Sequence, residues 1–217
     1  EYEAGVEMGR FFAEKGIKTA AIYGAFIPNP MHVYRVAGVL SGLGLSYDGA
    51  TEEGEVVGKI FTDQSVDLSK ISGDIQIVSY LQGYGDTTTD EINAAIQAKP
   101  EAFISVGMAT TFFTQQLNAA GIEFSDIDSF TQSNGEAITN GKLVYLAGKY
   151  SSSVGPAFAL VLNAINGNVI RDEQGNAVSL SQNYQVATDE ATFDEFYKSD
   201  NGDNPIYNKE TLDQIIG

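Results

Sequence analysis

Apolar positions follow two alternating rhythms along this chain. Short apolar-rich runs at 18–24, 75–80, 102–106 and 143–148 have the length of buried strands, and a more polar strand is predicted at 126–131. Between them, apolar residues recur at helical spacing. Residues 2–15 place Gly5, Met8 and Phe12 on one face, with Gly16 as a stop. A second helix is predicted over 30–43, closed by Gly42 and Gly44. A third, over 86–98, carries Ile92, Ala95 and Ile96 and ends before Pro100. Residues 109–120 set Phe113, Gln116, Leu117 and Ala120 on one side, and a short helix follows at 135–140. Residues 154–166 put Val154, Phe158, Val161, Leu162 and Ile165 on a single stripe. Strands alternating with helices predict an α/β fold, a parallel sheet with helices on both faces.

Two stretches break the rhythm. Residues 46–73 are acidic and glycine-bearing, with one strand-like run at 55–61, and read as an insertion on a rim. In the tail, 167–175 reads as a polar hairpin connection and 177–186 alternates like a strand. A short helix is predicted at 192–197, a loop at 199–206, and one or two helical turns over 209–216. No internal repeat or low-complexity tract is found.

Composition narrows the classes. At 217 residues and 43% hydrophobic, the chain can bury a sizeable core, and its apolar runs fall short of the ~20 residues of a membrane span. Twenty-nine acids against twelve bases give a net charge of −17, with no basic cluster, which argues against nucleic-acid binding. The absence of Cys excludes disulfides, thiolate nucleophiles and Cys-based metal sites. No signal-peptide pattern opens the chain, so any targeting segment is expected outside this sequence.

No catalytic pattern is found. The one histidine, His32, belongs to no HExxH, GxSxG or SxxK arrangement and reads as a surface or helix-start residue, though it sits beside a candidate ligand loop. Glu52 and Glu53 read as solvated. Asp200, Gly202, Asp203 and Asn204 depart from calcium-loop spacing, and the glycine runs lack GxGxxG after a strand. No enzyme, cofactor or metal site is expected.

The segment GIKTAAIYGAFIPNPMHVYRVAG (16–38) carries a strand, a Pro-broken loop and a helix with Arg35 three residues before Gly38. Together with AGVEMGRFFAEKG, PEAFISVGMATTFFTQQLNAAGI and GEAITNGKLVYLAGKYSSSVGPAFALVLNAINGN, it resembles the second lobe of type I periplasmic binding proteins and lac-repressor-like effector domains, over about residues 1–190. The resemblance implies residues 1–140 as a second-lobe α/β domain with its rim insertion at 46–73. It implies that 141–166 crosses back to a first lobe in intact relatives, and that 167–217 is a tail returning to the second lobe. The first lobe has no counterpart here, which implies a truncated piece of a longer chain or an exchange between two copies. Self-association through the face left by that lobe is a further expectation.

The matched positions imply a ligand set of Arg35, Tyr84, Phe26, Met108, Thr131, Gln132, Lys149 and Tyr150. Arg35 would fork onto solute oxygens, and Tyr84 would stack on the C–H face of a sugar ring. Gly107, Met108 and Thr131 stand where relatives often carry Asn or Asp, which favours a solute bearing its own acceptors, or an anionic one, against Arg35 and Lys149. Arg35→Ala and Tyr84→Ala are expected to abolish binding with little loss of stability. The function implied is non-catalytic binding of a small polar solute, a sugar or related compound, as the receptor of a bacterial ABC uptake system. Its partner would be a membrane permease, and its place extracytoplasmic, periplasmic or lipid-anchored as a lipoprotein. An effector-sensing domain of a transcription regulator, or an interaction module that lost its ligand, are the alternatives.

Overall fold

A computed structural model describes residues 1–83, 89–178 and 180–216. The chain runs α1 (Tyr2–Glu14), β1 (Thr19–Tyr23), α2 (Pro30–Gly42), β2 (Ser46–Tyr47), α3 (Glu53–Asp63), β3 (Ile71–Ser72), β4 (Gln76–Leu81) and α4 (Thr89–Gln97). It continues through β5 (Ala102–Ser105), α5 (Ala109–Ala120), β6 (Glu123–Ser129), α6 (Gln132–Asn140), β7 (Leu143–Lys149), α7 (Gly155–Ile165), β8 (Gln185–Ala187), α8 (Glu190–Asn201) and α9 (Lys209–Ile216).

One six-stranded sheet has the order β4-β1-β5-β6-β7-β8. Its first five strands pair in parallel, and β8 closes the edge antiparallel to β7. The α/β class expected from the alternation is the one observed. Successive strand residues point to opposite faces, and β6 shows both faces in use. Ser125 donates to Met8 Sδ of α1 at 3.1 Å, while Asp126 accepts from the Thr110 N–H of α5 at 2.7 Å. Helices α1 and α5 therefore cover opposite faces. Phe12, Ile22, Phe103, Phe113 and Phe124 fill the core between them, and rings such as Tyr23 and Phe113 meet edge to face.

Helices α1 and α2 approach backbone to backbone. A Cβ on Gly5 would lie 2.1 Å from the Arg35 carbonyl oxygen, and one on Gly9 would lie 2.4 Å from that of Val39. In return, Gly38 and Gly42 would meet the carbonyls of Tyr2 and Val6 at 2.1 and 2.2 Å. Glycine is required at these positions because no side chain fits, whatever it costs in helix propensity.

Three local expectations change. The run 55–61 is not a strand but the middle of α3. Val56, Val57 and Ile60 are buried, a helical spacing that packs against α2, and two exposed glycines had masked it. Over the described part of 177–186 the strand is confined to the end: β8, Gln185–Ala187, pairs with Leu146–Gly148 of β7. Helix α8 runs through Asn201 into the stretch expected as loop, started by Asp189, which accepts from the Thr192 N–H at 2.8 Å.

Helix α7 carries the apolar stripe expected of it, and that stripe faces solvent, with Phe158 63% and Ile165 75% exposed, while Pro156, Ala159 and Asn163 are buried. Residues Leu143–Lys149 are an inner strand, so the stretch standing apart from the sheet starts at Tyr150. Asp200 ties down the start of that stretch. Its carboxylate accepts from the N–H groups of Ser151 (2.6 Å) and Ser152 (3.0 Å). Burial would raise its pKa, but these donors outweigh burial and hold it below the usual carboxylate range.

Candidate functional site

In an open parallel sheet the loops at the carboxyl ends of the strands gather round one crevice. Here they enclose a cleft of about 310 Å³, at the small end of the ~300–1,000 Å³ typical of ligand pockets. The loop after β1 supplies Phe26 and Asn29, and α2 supplies His32 and Arg35. Gly107 and Met108 follow β5, Ile127–Ser129 end β6, Lys149 ends β7, and Tyr184 precedes β8.

The start of α2 explains two of these side chains. Asn29 caps the helix, accepting from the Met31 N–H at 3.0 Å, and Pro30 fits the first turn because it has no N–H to satisfy. His32 and Arg35, three residues apart, then share one face. His32 is buried rather than at the surface. Its Nδ1 lies 2.9 Å from the Phe26 N–H and 3.1 Å from the Phe26 carbonyl oxygen, accepting from the first in one neutral tautomer and donating to the second in the other; Nε2 is the donor or the acceptor accordingly. That nitrogen faces the Gly107 backbone, 3.8 Å from where a Cβ would stand. Burial, helped by the Arg35 charge, holds the His32 pKa below its usual 6.5. The ring is therefore neutral at pH 7.

Arg35 is only 4% exposed. Its Nε donates to Glu1 Oε2 at 2.6 Å, one terminal nitrogen donates to the Val106 carbonyl at 2.8 Å, and the other to the Tyr184 hydroxyl at 2.6 Å. Tyr184 also donates to Glu1 Oε2 at 2.7 Å, and Lys149 reaches Glu1 Oε1 at 3.3 Å while lying over the Tyr184 ring. Burial would raise the Glu1 carboxyl, but the Tyr184 hydrogen bond and the two cations outweigh it and bring the pKa to about 2. Arg35 thus pins α1, the end of β5 and the tail together. The expectation that Arg35→Ala leaves stability nearly unchanged does not survive this geometry, because the change strands a carboxylate and a carbonyl.

The end of β6 supplies two carboxylates with different duties. Asp126 is fully buried. It accepts from Thr110 N–H, from its neighbour Ile127 N–H (3.0 Å) and from Ser105 Oγ (3.2 Å), which caps α5 from a distant strand. Two residues on, Asp128 lines the cleft, oriented by the Ser129 N–H at 2.7 Å. Asn134 fixes this strand end by donating to the Ser129 carbonyl at 2.7 Å.

Of the residues expected from sequence, the structure brings Phe26, Arg35, Met108 and Lys149 to the cleft. Met108 sits in the left-handed region (φ 69°) at the head of α5, and Phe26 is 51% exposed. Thr131 does not line it: its hydroxyl caps α6 by accepting from the Asn134 N–H at 3.3 Å. Gln132 pairs with Glu136 on the exposed side of α6. Tyr150 packs on Phe130, with ring centroids 5.7 Å apart, and borders a neighbouring groove with Gln182 and Tyr207. Tyr84 lies outside the described residues. Sequence reasoning passed over Asn29, Asp128, Tyr184 and Glu1. A signal for Asp128 was present: two Asp residues inside an otherwise buried parallel strand are costly unless something uses them.

No protein-family model matches the sequence, and no curated protein matches it. Solved structures do. A galactofuranose-binding protein superposes with a TM-score of 0.63 at 10% identity, over 92% of this chain and 62% of its own. An ABC transporter periplasmic solute-binding protein from Actinobacillus succinogenes, with bound D-allose, gives 0.58 at 16% identity, over 90% and 60%. One from Bacillus halodurans, with bound myo-inositol, gives 0.59 at 14% identity, over the same shares. The chain has the α/β fold of type I periplasmic binding proteins and spans about 60% of the length of these relatives.

Asp126 generates a test of the site's electrostatics. Burial lifts its pKa from 3.8 to about 6, with the Asp128 charge adding to the rise and the Thr110 N–H opposing it. A folded pKa above the unfolded one means the native state binds the extra proton. The Asp126 contribution is therefore unfavourable above pH 6 and is relieved as pH falls towards 4. Relative to Asp126→Asn, the wild type should gain up to ~3 kcal/mol between pH 7 and pH 4 in urea unfolding. A difference that stays flat over that range contradicts the assignment.

Proposed function

We propose that this chain forms most of the second lobe of a solute receptor and binds a small polar solute, a sugar or related polyol, without chemical change. The observation that carries this reading is the strand-end cleft, where the neutral His32 imidazole, the Asp128 carboxylate, Lys149 and the Phe26 ring face the same few hundred Å³. Hydroxyl groups need donors and acceptors side by side, and a ring's C–H face suits an aromatic surface. Among the described residues no cluster of three or more His, Asp or Glu could hold a metal.

The structural neighbours named as ABC transporter solute-binding proteins support the same role here: receptor of an uptake system, acting outside the cytoplasm and handing solute to a membrane permease. No described helix is long and apolar enough to cross a membrane. In this reading residues 1–140, with β7, are the second lobe, and 46–73 form its rim. The stretch that holds α7 leaves towards a first lobe, and 167–217 returns to the second, as β8 on β7 and α8 on α6 support. Arg35 shapes the cleft wall rather than offering a free fork, and Tyr84, which lies outside the described residues, remains the proposed stacking residue.

The exposed stripe of α7 needs a cover. For the 217-residue chain we propose a second copy as that cover. Sedimentation should show concentration-dependent self-association that Val161→Lys with Ile165→Lys disperses; a single monomeric species at all concentrations contradicts it. For the cleft, calorimetry against a panel of neutral pentoses, hexoses and inositols should find a binder. Asp128→Asn should weaken it about tenfold or more by removing a charged acceptor, with folding stability within about 1 kcal/mol of wild type. A binder whose affinity is untouched by Asp128→Asn would place the site elsewhere.

A further inference from the structure

Both cations at the cleft are already engaged from behind. Arg35 and Lys149 converge on one internal carboxylate, Glu1, which stands in the adjoining groove beyond Tyr184. Three of the Arg35 donors are committed, to Glu1, Val106 and Tyr184, and Glu1 is ionised at any ordinary pH. Inside the cleft itself Asp128 adds a second negative charge, and His32 is neutral. The charged side chains that line or touch the cleft therefore balance, Arg35 and Lys149 against Glu1 and Asp128. A carboxylated solute would find its cations paired and would meet Asp128. A neutral solute would meet no such penalty and could still use the neutral His32 ring and the spare protons of Lys149, whose side chain is 45% exposed.

On this basis, and resting on the solute-binding reading above, we propose that Glu1 is the specificity-determining residue for charge: it neutralises Arg35 and Lys149 so that the cleft takes neutral polyhydroxyl solutes and refuses their carboxylated counterparts. This reverses the sequence expectation that Arg35 and Lys149 favour an anionic solute. Glu1 does so without touching the solute. Its position is set by the α1–α2 contact, and its effect is electrostatic, through two side chains that do border the cleft.

The test compares sugars that differ by one carboxylate, D-galactose with D-galacturonate and D-glucose with D-glucuronate, by calorimetry on the 217-residue chain. Glu1→Gln keeps a side-chain oxygen for Arg35 and Tyr184 while deleting the charge. Glu14→Gln makes the same change in net charge at the far end of α1. Wild type should prefer the neutral member of a pair. Glu1→Gln should move the uronate-to-neutral affinity ratio towards the uronate by about tenfold, and Glu14→Gln should leave it in place. An unchanged ratio in Glu1→Gln, an equal shift in Glu14→Gln, or a wild type that already prefers the uronate overturns the role of Glu1 while leaving solute binding intact. Failure of every sugar to bind wild type and both variants overturns the solute-binding reading, and the inference with it.

Discussion

The contact between α1 and α2 is the constraint on which the candidate site depends. Four glycines, Gly5 and Gly9 against Gly38 and Gly42, bring two helices together closely enough that each Cβ would strike a backbone atom of the other. Helix propensity argues against glycine at such positions, by about 1 kcal/mol each. Its presence at all four matches a geometry no other residue permits. One partner in this contact is the backbone of Arg35 itself. The contact therefore fixes where Arg35 starts, and it sets Glu1, at the head of α1, within reach of the guanidinium. From there the order of causes runs outward. Arg35 holds the end of β5 and Tyr184, Tyr184 holds the tail strand near β7, and Lys149 closes the network.

This hierarchy separates groups that shape the cleft from groups free to meet a solute. Arg35, Glu1, Tyr184 and Asp126 spend their hydrogen bonds on the protein, whereas His32 Nε2, Asp128 and Lys149 face the space between the loops. Preorganised groups of this kind lose little freedom when a ligand arrives. The apolar face of α7 belongs to a different problem. It lies on the stretch that leaves the sheet after Lys149, is tied at its start by Asp200, and packs on α9. The two surfaces, one polar and concave, the other apolar and convex, call for different occupants.

Much of the fold was legible because buried parallel strands and amphipathic helices leave different periods in the sequence, and β1, β5, α5 and β7 fall close to where those periods put them. The 53–63 helix was not legible. Its glycines lowered the helical signal, and only packing of Val56, Val57 and Ile60 against α2 decides the matter. The site was legible in place rather than in chemistry. Loops after strands were the right neighbourhood, but an Arg in a matched position says nothing about whether its donors are already taken. Glu1 and Tyr184, 183 residues apart, meet only in three dimensions. Thr131 had the residue type of a ligand contact and the local pattern of a helix cap, and the cap is what the backbone required.

The most direct measurement is the unfolding free energy of Gly5→Ala beside that of Gly58→Ala. Both are helical glycines, but a Cβ at Gly58 meets nothing within 4 Å, while at Gly5 it meets the Arg35 carbonyl at 2.1 Å. If the close helix contact holds the site together, Gly58→Ala is neutral or stabilising by up to about 1 kcal/mol. Gly5→Ala then loses at least ~2 kcal/mol and loses solute binding with it. Equal stability of the two variants, with the cleft intact in both, would contradict the dependence of the site on that contact.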